Sequence, residues 1–251
     1  MILSHREHTI KTDILKKPFE QCERFLKIAN IWDKIKDYPQ VKLLMKFNDN
    51  AKIYLACYFY RFSVDEISEK KLEVVCDSLL RLFTILELVD TGYSSSSFKT
   101  FLFTEAIKLV DESVSIKEIE DDFNKHIKDI WTPDVIKQNI LEYDRNSLVF
   151  LNEYLYAKRH NMKFDFDDNV NIEHIMPSSG REIETIRIDA NIESKEEFLQ
   201  LVNKIGNKIL LEEDINKSIS RDWFKTKKNH TVSGKLGYKE SKYCIANTLS
   251  K

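Results

Sequence analysis

Asn171-Ile172-Glu173-His174-Ile175-Met176-Pro177 is the stretch from which the rest of the chain can be read. Asn171 to Ile175 forms a short extended candidate, and Pro177, which has no amide hydrogen to give to a ladder, stops it. His174 therefore stands at the end of an extended segment with a carboxylate beside it. The spacing is not His-Glu-x-x-His, so a helical zinc site of the protease type is excluded. The other histidines, His5, His8, His126, His160 and His230, lie on helix faces or in lysine-rich loops and carry no such company.

Working outward, the chain changes character near residue 161. Only Gly92 of the five glycines precedes residue 180; Gly180, Gly206, Gly234 and Gly237 make up the rest. Upstream, long stretches without Gly or Pro show apolar residues at three- and four-residue spacing, which predicts helices. One stripe is Phe19, Cys22, Phe25, Leu26 and Ile28-Ala29, behind Pro18 at a first helical position. A second covers 48–61 through Ile53, Tyr54, Ala56, Cys57 and Tyr60, and a third covers 65–89 through Leu72, Val75, Cys76, Leu79, Leu80, Leu82, Phe83, Leu86 and Leu88. Gly92 and Ser94 to Ser97 read as a loop. Further helices are expected over roughly 98–110, 115–130, 133–143 and 145–159. The expected architecture is mainly α: a helical bundle over 1–160, for coupling or assembly, followed by a small α+β module over 161–251.

In that module Lys163-Phe164-Asp165-Phe166-Asp167 alternates as a half-buried strand does. Residues 194–205 return to helical spacing through Phe198, Leu199, Val202 and Ile205, and Gly206 stands where a left-handed C-cap is expected. Lys208-Ile209-Leu210-Leu211 predicts a short strand, and 212–229 one or two short helices. Charge is split here. Residues 161–214 carry 6 Lys/Arg against 13 Asp/Glu, whereas 215–251 carry 9 against 2. An acidic half suited to a cation adjoins a basic half suited to phosphates.

Bulk composition bounds the remaining classes. At 251 residues, 42% hydrophobic and 32% charged, the chain is globular rather than disordered. No apolar run approaches the roughly 20 residues that span a bilayer, and the first residues are too quickly polar for a signal peptide. Cys22, Cys57, Cys76 and Cys244 are scattered without zinc-finger spacing. The expectation is a cytoplasmic protein with reduced thiols, no membrane partner, and oxygen or nitrogen ligands for any metal.

The site-bearing elements resemble the HNH, or His-Me finger, nucleases, including the HNH domain of RNA-guided CRISPR nucleases. The resemblance rests on Glu173-His174-Ile175-Met176-Pro177, then Gly206-Asn207-Lys208-Ile209-Leu210-Leu211, then Asn216, nine residues after Asn207. It is closer still to the C-terminal domain of GmrSD-type, modification-dependent restriction and phage-defence nucleases, whose pattern adds Phe-x-x-Lys, here Phe224 to Lys227. It spans roughly 165–233 and implies a ββα-metal fold and cleavage of DNA phosphodiester bonds. It further implies His174 as general base, Asn207 as the residue that orients it, and Glu173 and Asn216 as oxygen ligands of one divalent ion, Mg²⁺ or Mn²⁺. Lys217, Arg221, Lys225, Lys227 and Lys228 would then grip the phosphate backbone. Trp223 and Phe224 read as core anchors.

The family position after the proline is often Gln and here is Ser178, which is outside the expected catalytic set. The nucleotide-hydrolysing and sensing domain that relatives carry at the N-terminus has an Asp-Gly-Gln-Gln-Arg type signature, which this sequence lacks, as it lacks a phosphate-cradling glycine loop. Such a domain is an expected partner in a longer protein or a separate subunit. The rival reading is a non-catalytic helical adaptor that binds nucleic acid or a partner through a degenerate HNH-like end.

Overall fold

A computed structural model describes residues 16–89, 93, 95–229 and 236–251. His5, His8, Gly92, Ser94, His230 and Gly234 lie outside them; of the loop expected over Ser94–Ser97, Ser96 and Ser97 instead open the helix Ser96–Lys108, with Ser95 as its N-cap. Among the described residues there are thirteen α-helices and one two-stranded sheet, so the chain is mainly α. None of these helices is long and apolar enough to cross a membrane. The chain divides into two compact units, 1–83 with 92–128 and 84–91 with 129–251.

The first unit is helical. Its described elements are α1 (Pro18–Ile35), α2 (Pro39–Phe47), α3 (Ala51–Tyr60), most of α4 (Glu69–Val89), α5 (Ser96–Lys108) and α6 (Ile116–Ile127). Pro18 and Pro39 sit in the first turns of α1 and α2, where a missing amide hydrogen costs nothing. Ser115 caps α6 by accepting from the Glu118 amide while the Glu118 carboxylate accepts from Ser115, a capping box. An aromatic cluster of Phe47, Phe83, Tyr93, Phe98, Phe101 and Phe123 forms much of the core, with ring centroids 5.7–6.5 Å apart along its chain of contacts.

Two stripes form helices as expected, but their apolar residues are not all turned inward. The stripe from Phe19 to Ile28 belongs to a real helix but not to a core face. Phe19 is 86% exposed and Phe25 and Leu26 are 61% exposed, while α1 buries Ile31 and Ile35. In α3 the buried face is Ala51, Tyr54, Leu55, Tyr58 and Phe59, and Ile53 is exposed. α3 is apolar on nearly every side, so periodicity could not select its inward face.

In the second unit, α7 (Pro133–Glu142) and α8 (Ser147–Arg159) precede β1 (Val170–His174). Next come α9 (Ile183–Asp189), α10 (Lys195–Asn203), β2 (Lys208–Glu212), α11 (Glu213–Ile219), α12 (Phe224–Asn229) and α13 (Cys244–Leu249). β1 and β2 are antiparallel, with Val170 opposite Glu212 and His174 opposite Lys208. α11 follows β2 directly and packs against both strands. Lys163 to Asp167 is not a strand. Phe164 and Phe166 both turn to α8, against Tyr154 at 5.2 Å and Phe150 at 5.1 Å, so their period of two reflects two anchors on one helix. Gly206 is not a left-handed cap either. It sits inside a 3-10 turn, Ile205–Asn207, and α10 ends at Lys204 in an extended conformation.

Candidate active site

The strand β1 ends where its last side chain can be held from several directions. Across the rung from His174 stands Lys208, whose ammonium is buried and donates to the Asp144 carbonyl and, at 3.3 Å, to Asn146 Oδ1. The rung is thereby fixed to the corner between α7 and α8. Ile205 adds a bond from its amide to the Tyr143 carbonyl at 3.0 Å.

Asn207 is the clamp on the chain just beyond His174. Its Oδ1 accepts from the Met176 amide at 2.7 Å, and its Nδ2 donates to the Met176 carbonyl at 2.8 Å and the Val202 carbonyl at 2.9 Å. Its own carbonyl accepts from the Ile175 amide at 2.9 Å. One amide side chain thus satisfies both main-chain groups of Met176 and ties the two strand ends together. The Met176 side chain packs on a small core of Ile186, Phe198 and Val202, which Ile183, Ile192 and Trp223 complete. Trp223 is a core anchor, as read from the sequence. Phe224 lies 6.3 Å from the Tyr238 ring.

The His174 ring is half-buried. Burial pushes its pKa below the ordinary 6.5, the Lys208 and Lys227 charges push the same way, and a side-chain hydrogen bond with Asn203 opposes them. Asn203 also donates from Nδ2 to the Leu199 carbonyl at 2.9 Å, which anchors its amide on α10. Nε2 of His174 is buried and has no partner among the described residues, a condition it shares in this unit with the Tyr243 hydroxyl.

Glu173 projects to the opposite face, as successive strand side chains must. It is 6% exposed, and its Oε1 accepts from the Lys227 ammonium and from the Tyr238 hydroxyl at 3.1 Å. Burial raises its pKa against the pull of Lys227 and Tyr238. Lys227 itself is 1% exposed and also donates to the carbonyls of His174 at 2.7 Å and Ile175 at 3.4 Å. This corrects the expectation that Lys227 grips phosphate: its ammonium lies inside, bonded to β1. The motif held the signal. Phe224 and Lys227 are three apart on one helix, hence on one face, and Phe224 faces inward.

The other basic residues differ from it. Lys225 and Arg221 are exposed, Lys228 is half-buried, and Lys217 is exposed but paired with Glu213 at 2.5 Å. The Arg221 stem runs past Gly180, whose φ of +146° glycine alone adopts readily, so Arg221 lies beside the turn that follows Pro177. Asn216 is half-buried on α11, and its side chain has no hydrogen bond among the described residues. Among those residues no group of three or more His, Cys, Asp or Glu stands in metal-holding geometry. Lys208, Asn203 and Tyr238 were missed by the sequence reading. Only Lys208, a cation opening an otherwise apolar strand, gave a visible sign.

The family model for the C-terminal domain of GmrSD restriction endonucleases matches residues 122–250, just over half of the chain. The chain belongs to that family. Membership gives it a nuclease role in restriction, with DNA as the substrate that role implies. The GmrSD match takes in α7 and α8 as well as the β1–β2 pair, in keeping with their place in one compact unit. No curated protein and no solved structure matches the chain.

Proposed function

We propose that this chain is an HNH-type DNA endonuclease of a restriction or phage-defence system, with His174 as the general base that activates the attacking water. The observation that carries the reading is the state of the His174 ring. Buried polar atoms without partners are rare in folded proteins and call for a reason, and a catalytic base is one. Its Nε2 has no partner among the described residues, while the backbone from His174 to Met176 is tied down by Asn207 and Lys227. A depressed pKa keeps the ring neutral, and so able to take a proton, at physiological pH. Asn207 is the orienting residue, acting on the main chain that carries His174. Arg221, Lys225 and Lys228 serve the phosphate backbone, and Lys217 can join them by releasing Glu213.

The antiparallel β1–β2 pair with α11 packed on it supports a ββα-metal reading, and residues 161–251 form that module in this proposal. The helical 1–160 part then serves coupling or assembly with a sensor domain or subunit. An Mg²⁺ or Mn²⁺ ion is the cofactor implied by the resemblance. Asn216, half-buried on α11, would offer it an amide oxygen. Glu173 does not fit as its companion, because its carboxylate already serves Lys227 and Tyr238. No step of the reaction is therefore derived through the metal.

A plasmid-nicking assay run ion by ion, with Mg²⁺, Mn²⁺, Ca²⁺ and chelator alone, tests the proposal. Loss of supercoiled DNA with Mg²⁺ or Mn²⁺ and none with chelator is expected. Intact plasmid under every ion, with binding retained, would favour the adaptor reading instead, which the occupied Glu173 carboxylate lends some support.

A further inference from the structure

The misfit at Glu173 has a positive content. An ammonium has three protons, and Lys227 spends them on Glu173 Oε1, the His174 carbonyl and the Ile175 carbonyl. Tyr238, with no exposed surface, adds a second donor to the same carboxylate oxygen. A divalent ion taking that oxygen would strand a buried ammonium, and breaking a buried pair by removing one partner is strongly unfavourable. The pair also acts at the right place. Lys227 grips the two carbonyls on one side of the chain, while Asn207 holds the Ile175 and Met176 amides on the other.

We infer that Glu173 is a positioning residue and not a metal ligand: through Lys227 it fixes the backbone of His174 and Ile175, and any divalent ion the reaction uses is held without it. This deepens the nuclease reading and rests on it only for the consequence to catalysis. The ion pair and its grip on the strand end stand apart from whether the chain cuts DNA.

The test uses the full chain as wild type, Glu173→Gln and Lys227→Met. Native-state hydrogen exchange should show the Ile175 and Met176 amides exchanging at least ten-fold faster in both variants, with the Leu210 amide of β2 unchanged. Mn²⁺ titration followed by electron paramagnetic resonance should give the same affinity within two-fold for wild type and Glu173→Gln. Where the chain nicks DNA, both variants should lower kcat by about the same factor at unchanged KM, the pattern expected when only transition-state geometry is lost. Exchange at Ile175 and Met176 that stays at the wild-type rate in both variants overturns the inference. So does a ten-fold or greater loss of Mn²⁺ affinity in Glu173→Gln. If Glu173→Gln fails to fold, the exchange pattern of Lys227→Met decides alone. Wild type that binds no Mn²⁺ agrees with the inference and counts instead against a metal in the proposed function, so the two failures are told apart.

Discussion

The side chain of His174 is held among cations and still has a nitrogen with no partner among the described residues. Lys208 across the rung and Lys227 behind the strand both make a second positive charge unwelcome, and burial adds to them. The sign follows directly. A histidine with a lowered pKa loses its proton at lower pH, so the base form persists into mild acid. The acid limb of kcat/KM for DNA nicking should therefore have its midpoint below 6.5, and Lys208→Met should move it upward. Asn207→Ala removes three side-chain hydrogen bonds at the turn after His174 and leaves main-chain groups of Met176 unpaired. Denaturant unfolding should show a loss of about 2–3 kcal/mol, in the range for a buried polar group left without its partner. Both His174 and Asn207 were legible as residues because the motif spacing put them on adjoining strand ends. The direction of Glu173 was legible too, since strand neighbours face opposite ways. What took up its carboxylate was not, because Lys227 and Tyr238 arrive from 54 and 65 residues downstream.

At the level of elements, β1, β2, α10, α11 and α12 were readable because each has a stop or a period of its own. The short α9 and α13 were not, having six or seven residues each and no clear apolar face. α2 was missed behind its own proline. The Lys163–Asp167 segment shows how alternation can mislead: two phenylalanines two apart can anchor an extended segment to one helix with no partner strand. Pairs on helix surfaces give a separate test. Asp122 on α6 accepts from Lys125 at 2.7 Å and from Lys108 of α5 at 2.9 Å. Lys125 first and Lys108 second hold its carboxyl down to about 2. A depressed carboxylate stabilises the fold above its unfolded value of 3.8 and loses that contribution as the pH falls through about 2. Asp122→Asn should cost less than about 1 kcal/mol at pH 6, since the group is partly exposed. The difference from wild type should close by pH 2, as followed by urea unfolding.

For the whole molecule, the sequence boundary near residue 160 marked where composition changes, whereas the second compact unit already takes in α7, α8 and a turn of α4. Tyr143, at the corner after α7, donates to Glu87 of α4 at 2.7 Å, and Asn139 donates to the Leu88 carbonyl at 2.8 Å. Such contacts join residues more than fifty apart, and no local pattern announces them. The split of charge between residues 161–214 and 215–251 was legible, and among the described residues the exposed part of the basic half is Lys217, Arg221, Lys225, Lys239, Lys242 and Lys251, with Lys227 inside. The central claim is that the imidazole at the end of β1 does the chemistry. Plasmid nicking by wild type and His174→Ala, at matched concentration and with circular dichroism to confirm folding, tests it most directly. The predicted result is a loss of at least about 10²-fold in rate, as removal of a general base gives, with the fold unchanged. A folded His174→Ala that nicks at the wild-type rate would contradict it.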